Sequence, residues 1–125
     1  MRIYLAGGMR SGWQDIVRQS VPHHIYYDPR DHNLSKWTQY SAWDFGMIRK
    51  CDWMFSYFEE CNPSGYGLCG EMGYGKGLGK GVIFVDEIPT TSDRFRYLRL
   101  FEWLADVYFI NLQSGIDFLY RLPKE

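Results

Sequence analysis

Residues 52–85, DWMFSYFEECNPSGYGLCGEMGYGKGLGKGVIFV, decide the fold. The segment opens on an apolar run, 52–57 (DWMFSY), and closes on another, 82–85 (VIFV). Between them lie a turn through Asn62-Pro63-Ser64-Gly65 and a stretch from about Gly67 to Leu78 that is long enough for a helix. Two strands joined by a helix pair in parallel. VIFV is continuous and apolar, as a strand covered on both faces must be.

The flanking sequence continues the alternation. Residues 2–6 (RIYLA) predict a strand ended by Gly7-Gly8, and 12–20 a helix closed before Pro22. Residues 24–27 (HIYY) predict a strand that runs into the polar turn Asp28–His32. Over 36–50, Trp37, Tyr40, Trp43, Met47 and Ile48 recur at helical spacing, with Ser35 as N-cap. Ser92 caps a helix over 93–104, 107–110 (VYFI) is a short strand, and 112–121 is a last helix with Leu112, Ile116 and Leu119 on one face. Five strands alternating with helices predict an α/β layered fold with a mostly parallel sheet in the order 2-1-3-4-5.

The 125 residues amount to one domain, 1–125. With 46% hydrophobic residues the chain can bury a core. No apolar run approaches the ~20 residues of a membrane span. MRIYLAGG reaches glycine too soon for a secretory signal. Fourteen basic and fifteen acidic residues are spread along the chain, with no basic stripe of the kind that binds nucleic acid polymers. Cys51, Cys61 and Cys69 are odd in number, which favours reduced thiols and a cytoplasmic setting. No cysteine or histidine spacing predicts a metal site.

In a sheet of this order ligands bind beyond the carboxyl ends of the strands, where strands 1 and 3 diverge. The turn Gly7–Gly12 and the loop Phe58–Gly70 meet there. Eight of the thirteen glycines fall between Gly65 and Gly81, and they permit close approach of backbone to a ligand. Glu71 is expected in the first turn of the following helix, where free N–H groups favour an ionised carboxylate. Such a carboxylate can attack a sugar C1′ and form a glycosyl ester. An acidic residue near a helix start is also common without any such role. Tyr4, on strand 1, can orient Glu71 or be a core aromatic. Asp44 sits in mid-helix, where aspartate has poor propensity, as a functional group or a solvated one. Arg10 and Ser11 can hold a phosphate or hydroxyl, or be plain loop residues. Asp52 is expected to be a turn or capping residue.

Gly65-x-Gly67-x-x-Gly70, with Asp86 sixteen residues on, matches a dinucleotide fingerprint. The fingerprint requires its first glycine directly after the strand, whereas 58–64 intervene here. Cys69 can be activated by a helix start, but no base accompanies it, so a small packed residue is the better expectation.

Three motifs together resemble the nucleoside 2-deoxyribosyltransferase family. They are Ile3-Tyr4-Leu5-Ala6-Gly7, Asp44-x-x-x-Ile48-x-x-x-Asp52, and Gly67-Leu-Cys-Gly-Glu71-Met-Gly-Tyr-Gly75. The likeness runs from Met1 to about Val85. It implies a flavodoxin-like, Rossmann-like three-layer sandwich. It implies Glu71 as nucleophile, Tyr4 as its positioner and Asp44 as the group that contacts and protonates the leaving base. Gly7, Gly8, Arg10, Ser64, Gly65 and Gly67 would contact substrate. The implied partners are a nucleoside or nucleoside monophosphate, a free nucleobase, and further copies of the chain in a homodimer or larger assembly whose neighbouring subunits complete each site. No metal or organic cofactor is implied.

Transfer to another base is the family's reaction. The related deoxynucleoside 5′-monophosphate N-glycosidases hydrolyse instead. Gly8-Met9-Arg10-Ser11-Gly12 and Pro63-Ser64 are similar to theirs. Gly8 replaces a serine of that subgroup, however, and Ser64 lies one residue further from Glu71. The transferases' aspartate before the glutamate is also absent, since 62–65 reads Asn-Pro-Ser-Gly. A nucleotide-binding module without turnover is the third reading. Trp13, Trp37, Trp43 and Tyr66 are candidates to stack on a base.

Overall fold

A computed structural model describes residues 1–124. Five strands, β1 (Arg2–Gly7), β2 (Ile25–Tyr27), β3 (Trp53–Phe58), β4 (Gly81–Asp86) and β5 (Val107–Phe109), form one sheet in the order β2-β1-β3-β4-β5. Every neighbouring pair is parallel. Six α-helices connect them: α1 (Trp13–Ser20), α2 (Trp37–Lys50), α3 (Tyr66–Gly77), α4 (Asp93–Tyr97), α5 (Arg99–Leu104) and α6 (Leu112–Arg121). The order and layering are those expected from the sequence.

Strand side chains alternate between faces, and the sheet therefore separates two cores. Tyr4, Ala6, Met54, Phe58, Val82 and Phe84 face a layer containing Ile48 of α2 and Leu68 and Met72 of α3. Ile3, Leu5, Phe55, Tyr57, Ile83 and Val85 face Val17 of α1 and Ile116 and Leu119 of α6. Burying one such side chain contributes roughly 1.5–3 kcal/mol. This alternation also aims Tyr4 toward α3, and so toward the candidate nucleophile.

Local differences from expectation have physical causes. The helix expected over 93–104 is two helices meeting at Leu98. Ser92 does cap the first, accepting from the Arg94 N–H at 3.3 Å. At the junction the Leu98 N–H bonds the Phe95 carbonyl, and the Phe101 N–H bonds the Leu98 carbonyl. Both are three-residue steps that tighten the chain and turn it. Helix α2 starts at Trp37 with Lys36 at its N-cap and no side-chain cap, so Ser35 does not fill that role. Asp52 works at the amino end of β3, accepting from the Arg2 N–H at 2.8 Å and pairing with the Arg2 guanidinium at 3.0 Å.

Candidate functional site

Strands β1 and β3 lie side by side, and the chain leaves them in opposite directions, toward β2 and toward β4. The gap beyond their carboxyl ends is a cleft of about 240 Å³. Gly7, Gly8, Ser64, Gly65, Gly67 and Glu71 line it, as expected from the sequence. Met9, Asn62, Tyr66 and Leu68 complete the lining. Arg10 is exposed in the β1–α1 turn and is not among the lining residues.

Gly65 explains how α3 enters the cleft. Its φ is +76°, in the left-handed region, and a Cβ there would collide with the Phe58 ring. Only glycine turns the chain at this point and packs on the end of β3. The helix begins at Tyr66, so Glu71 is its sixth residue and lies in the second turn. The free N–H groups of the first turn therefore do not hold its carboxylate. Burial controls it instead, pushing the acid up to about 7. The Tyr4 hydroxyl, donating to Glu71 Oε2, works in the opposite direction, and the Asp44 carboxylate pushes further up. Glu71 is thus readily protonated near neutrality, not the firmly ionised group that a helix start would produce.

Tyr4 is fully buried. Burial and the neighbouring Glu71 raise its hydroxyl well above the usual phenol range, so it remains a hydrogen-bond donor. Asp44 is partly buried on α2, with its acid raised mainly by desolvation and lowered by His32. His32 Nε2 stands 3.5 Å from Asp44 Oδ1, which has no hydrogen-bond partner among the described residues. Tyr40 lies parallel to the His32 ring at 6.2 Å, and Trp43 meets it edge-on at 5.0 Å. Tyr4, Glu71, Asp44 and His32 therefore form one polar group. The first three were expected. His32 was missed as a site residue, and its signal is its place in the loop that follows strand 2.

Other candidates resolve into structural roles. Asp86 is bound by the Arg99 guanidinium and accepts from the Ile88 N–H at 2.9 Å, which leaves it unsuited to read a ribose. Cys69 is raised by burial, opposite to an activated thiol. Trp13 is a core residue beneath the β1 turn. It donates to the Gly8 carbonyl at 2.7 Å and stacks on Phe55. Tyr66 is exposed at the cleft rim, and Trp37 is exposed on α2. A second recess, of about 300 Å³, adjoins the cleft and shares Ser64 and Tyr66 with it. Cys69 and Arg94 line that recess but no carboxylate does, so the smaller cleft is the one with chemical equipment. Among the described residues, no group of three or more histidine, cysteine or acidic side chains could hold a metal ion. No helix there is long and apolar enough to cross a membrane.

The architecture defines a class: a doubly wound α/β sandwich with a partly buried carboxylate at the strand-order switch point. Solved structures share that fold across nearly the whole chain. A 2-deoxyribosyltransferase from the psychrotolerant bacterium Bacillus psychrosaccharolyticus superposes with a TM-score of 0.71 at 18% identity, covering 98% of this chain and 93% of that one. A 2-deoxyribosyltransferase from Leishmania mexicana gives 0.72 at 18% identity, covering 97% of each chain. A CMP N-glycosidase from Clostridium botulinum gives 0.62 at 16% identity, covering 95% and 98%. No family model and no curated protein matches the sequence.

Proposed function

We propose that the protein cleaves the N-glycosidic bond of deoxynucleosides through a covalent ester on Glu71 and transfers the sugar to a second base. The observation that carries this reading is the Tyr4 hydroxyl donating to the partly buried Glu71 carboxylate inside a glycine-walled cleft. Such a carboxylate is desolvated and fixed in orientation, as a nucleophile for an anomeric carbon needs to be. The fold shared with two deoxyribosyltransferases and an N-glycosidase supports it.

In the first step ionised Glu71 attacks C1′. The C1′–N bond breaks, its electron pair passes to the base, and protonated Asp44 supplies the proton that lets the base leave. The raised acid of Asp44 suits that donation. His32 stands beside this acid, its Nε2 3.5 Å from Asp44 Oδ1. In the second step an incoming base attacks C1′, its proton goes to Asp44, and the ester C1′–O bond breaks to regenerate the carboxylate. Tyr4 holds the Glu71 oxygen throughout.

Hydrolysis of a 5′-monophosphate is the second reading. Arg94 favours it, since this cation lines the recess that meets the cleft at Ser64. Incubation with deoxyadenosine, deoxycytidine and their 5′-monophosphates, with and without a second free base, separates the possibilities. Transfer predicts a new nucleoside only when acceptor base is present. Free base from monophosphates alone establishes the hydrolase. Binding without turnover of any compound overturns both.

A homodimer or larger assembly in the cytoplasm accompanies this reading. Trp37, Leu100 and Trp103 are largely exposed apolar side chains suited to contacts between copies.

A further inference from the structure

Gln14 is a buried polar side chain that the mechanism above leaves unused. It is the second residue of α1, and only 1% of its surface is exposed. Its Nε2 donates to the Gly8 carbonyl at 3.0 Å. Its Oε1 is buried and has no hydrogen-bond partner among the described residues. A carbonyl only accepts, so turning the amide over to relieve that oxygen would break the bond to Gly8. Leaving a buried acceptor unpaired costs stability, and a methionine would fill much the same space without that cost. What the amide supplies is its hold on Gly8.

Gly8 lines the cleft, yet its carbonyl is drawn away from it. Trp13 Nε1 reaches the same oxygen at 2.7 Å. Trp13 packs on the α1 side of the sheet, whereas Leu68, which lines the cleft, packs on the α3 side. Both lone pairs of the Gly8 carbonyl are therefore taken by donors from α1. In a planar trans peptide the next N–H points opposite to the carbonyl. The Met9 N–H is thus turned toward the cleft that Met9 lines, and no hydrogen bond among the described residues takes it. The turn sits tightly on this support: a Cβ on Gly7 would lie 2.5 Å from the Tyr57 carbonyl oxygen and 3.0 Å from the Trp13 ring. Two donors on one oxygen fix a peptide plane that a single donor would leave free to swing.

We infer that Gln14 is a positioning residue: with Trp13 it holds the Gly8 carbonyl out of the cleft, so that the Met9 N–H stands in it as a fixed donor to an oxygen of the substrate. The inference rests on the cleft beside Glu71 being the substrate site. Gln14 does not touch the substrate. It acts through the turn, on a contact made before and during the reaction alike, and so on KM and not on kcat.

The test compares wild type with Gln14→Met, using deoxyadenosine, deoxycytidine and their 5′-monophosphates. Thermal unfolding, kcat and KM are measured, and binding and Met9 amide exchange are followed by NMR in a Glu71→Gln background. Gln14→Met should raise KM by about tenfold, the worth of one well-aimed hydrogen bond, with kcat changed by less than about twofold. Its unfolding midpoint should be no lower than wild type, because Trp13 still pairs the carbonyl and the orphan oxygen is gone. Saturating substrate should slow exchange of the Met9 amide, and Gln14→Met should weaken that protection. An unmoved KM, a Met9 amide indifferent to bound substrate, or a variant that loses its fold overturns the inference. Binding without turnover, with the Met9 amide protected and affinity reduced by Gln14→Met, contradicts the role of Glu71 but leaves the positioning role standing. No binding of any of these compounds overturns both.

Discussion

Replacing Glu71 with glutamine tests the electrostatic state of the site directly. The carboxylic acid is pushed from an ordinary 4.5 up to about 7 by burial. Below pH 4.5 the acid is protonated both folded and unfolded, and it adds no pH dependence. Between 4.5 and 7 the unfolded chain loses its proton while the folded site retains it, so stability falls as pH rises. Above 7 the group is ionised in both states and the pH dependence ends. Each pH unit in that window is worth about 1.4 kcal/mol, which totals roughly 3 kcal/mol. Because part of the residue still meets solvent, ~2 kcal/mol is the figure to expect. Glutamine has nearly the same shape, can still accept from Tyr4, and does not titrate. Urea unfolding of both proteins at pH 4.5 and pH 8 isolates this one group, since every other titration is common to the pair. Glu71→Gln should be more stable than wild type by ~2 kcal/mol more at pH 8 than at pH 4.5. The same variant should lack turnover. A stability difference that stays flat with pH would refute the claim that burial, and not a helix start, governs this carboxylate.

Other consequences follow from the same geometry. Tyr4→Phe removes the donor that lowers the Glu71 acid, so the acid limb of the pH–rate profile should move to higher pH while the rate falls by roughly 10–100-fold. Asp44→Asn should slow base release by ~100-fold, with the loss smallest for bases that leave without protonation, measured by single-turnover kinetics across leaving groups. His32→Ala removes the group that lowers the Asp44 acid, so the limb of the profile that falls with deprotonation of Asp44 should move upward in pH. Gly65→Ala should destabilise the protein by ~1–3 kcal/mol, because its φ of +76° is strained for alanine and its Cβ meets Phe58. Thermal unfolding checks this, and an unchanged midpoint would contradict the strain.

What could be read from the sequence was whatever rests on local pattern. VIFV at 82–85 announced a strand covered on both faces, and β4 is buried along that run. The strand–glycine–helix succession fixed where the cleft would be, and most of its lining was visible there. Tertiary burial was not visible. Glu71 sits one turn deeper in α3 than expected, and packing against Tyr4 reverses the inference drawn from a helix start. The broken helix at Leu98 rests on the three-residue hydrogen bonds made there, which no residue type announces. His32 lies in the loop after β2 and Asn62 in the loop after β3. Only the fold brings them to the strand ends, and neither carries a motif. Asp86 shows the opposite case, a motif-like residue that Arg99 and the Ile88 N–H bind for structure alone.

Covalent trapping is the most direct test of Glu71 as nucleophile. A 2′-fluorinated deoxynucleoside, whose electron-poor sugar slows both formation and breakdown of the glycosyl ester, is incubated with the protein, and the digest is mapped by mass spectrometry. The fluorosugar should appear on the peptide containing Glu71, on that side chain, and be released when a free base is added. An unmodified Glu71 peptide from protein that is turning over natural deoxynucleosides, or an adduct on another residue, would contradict it.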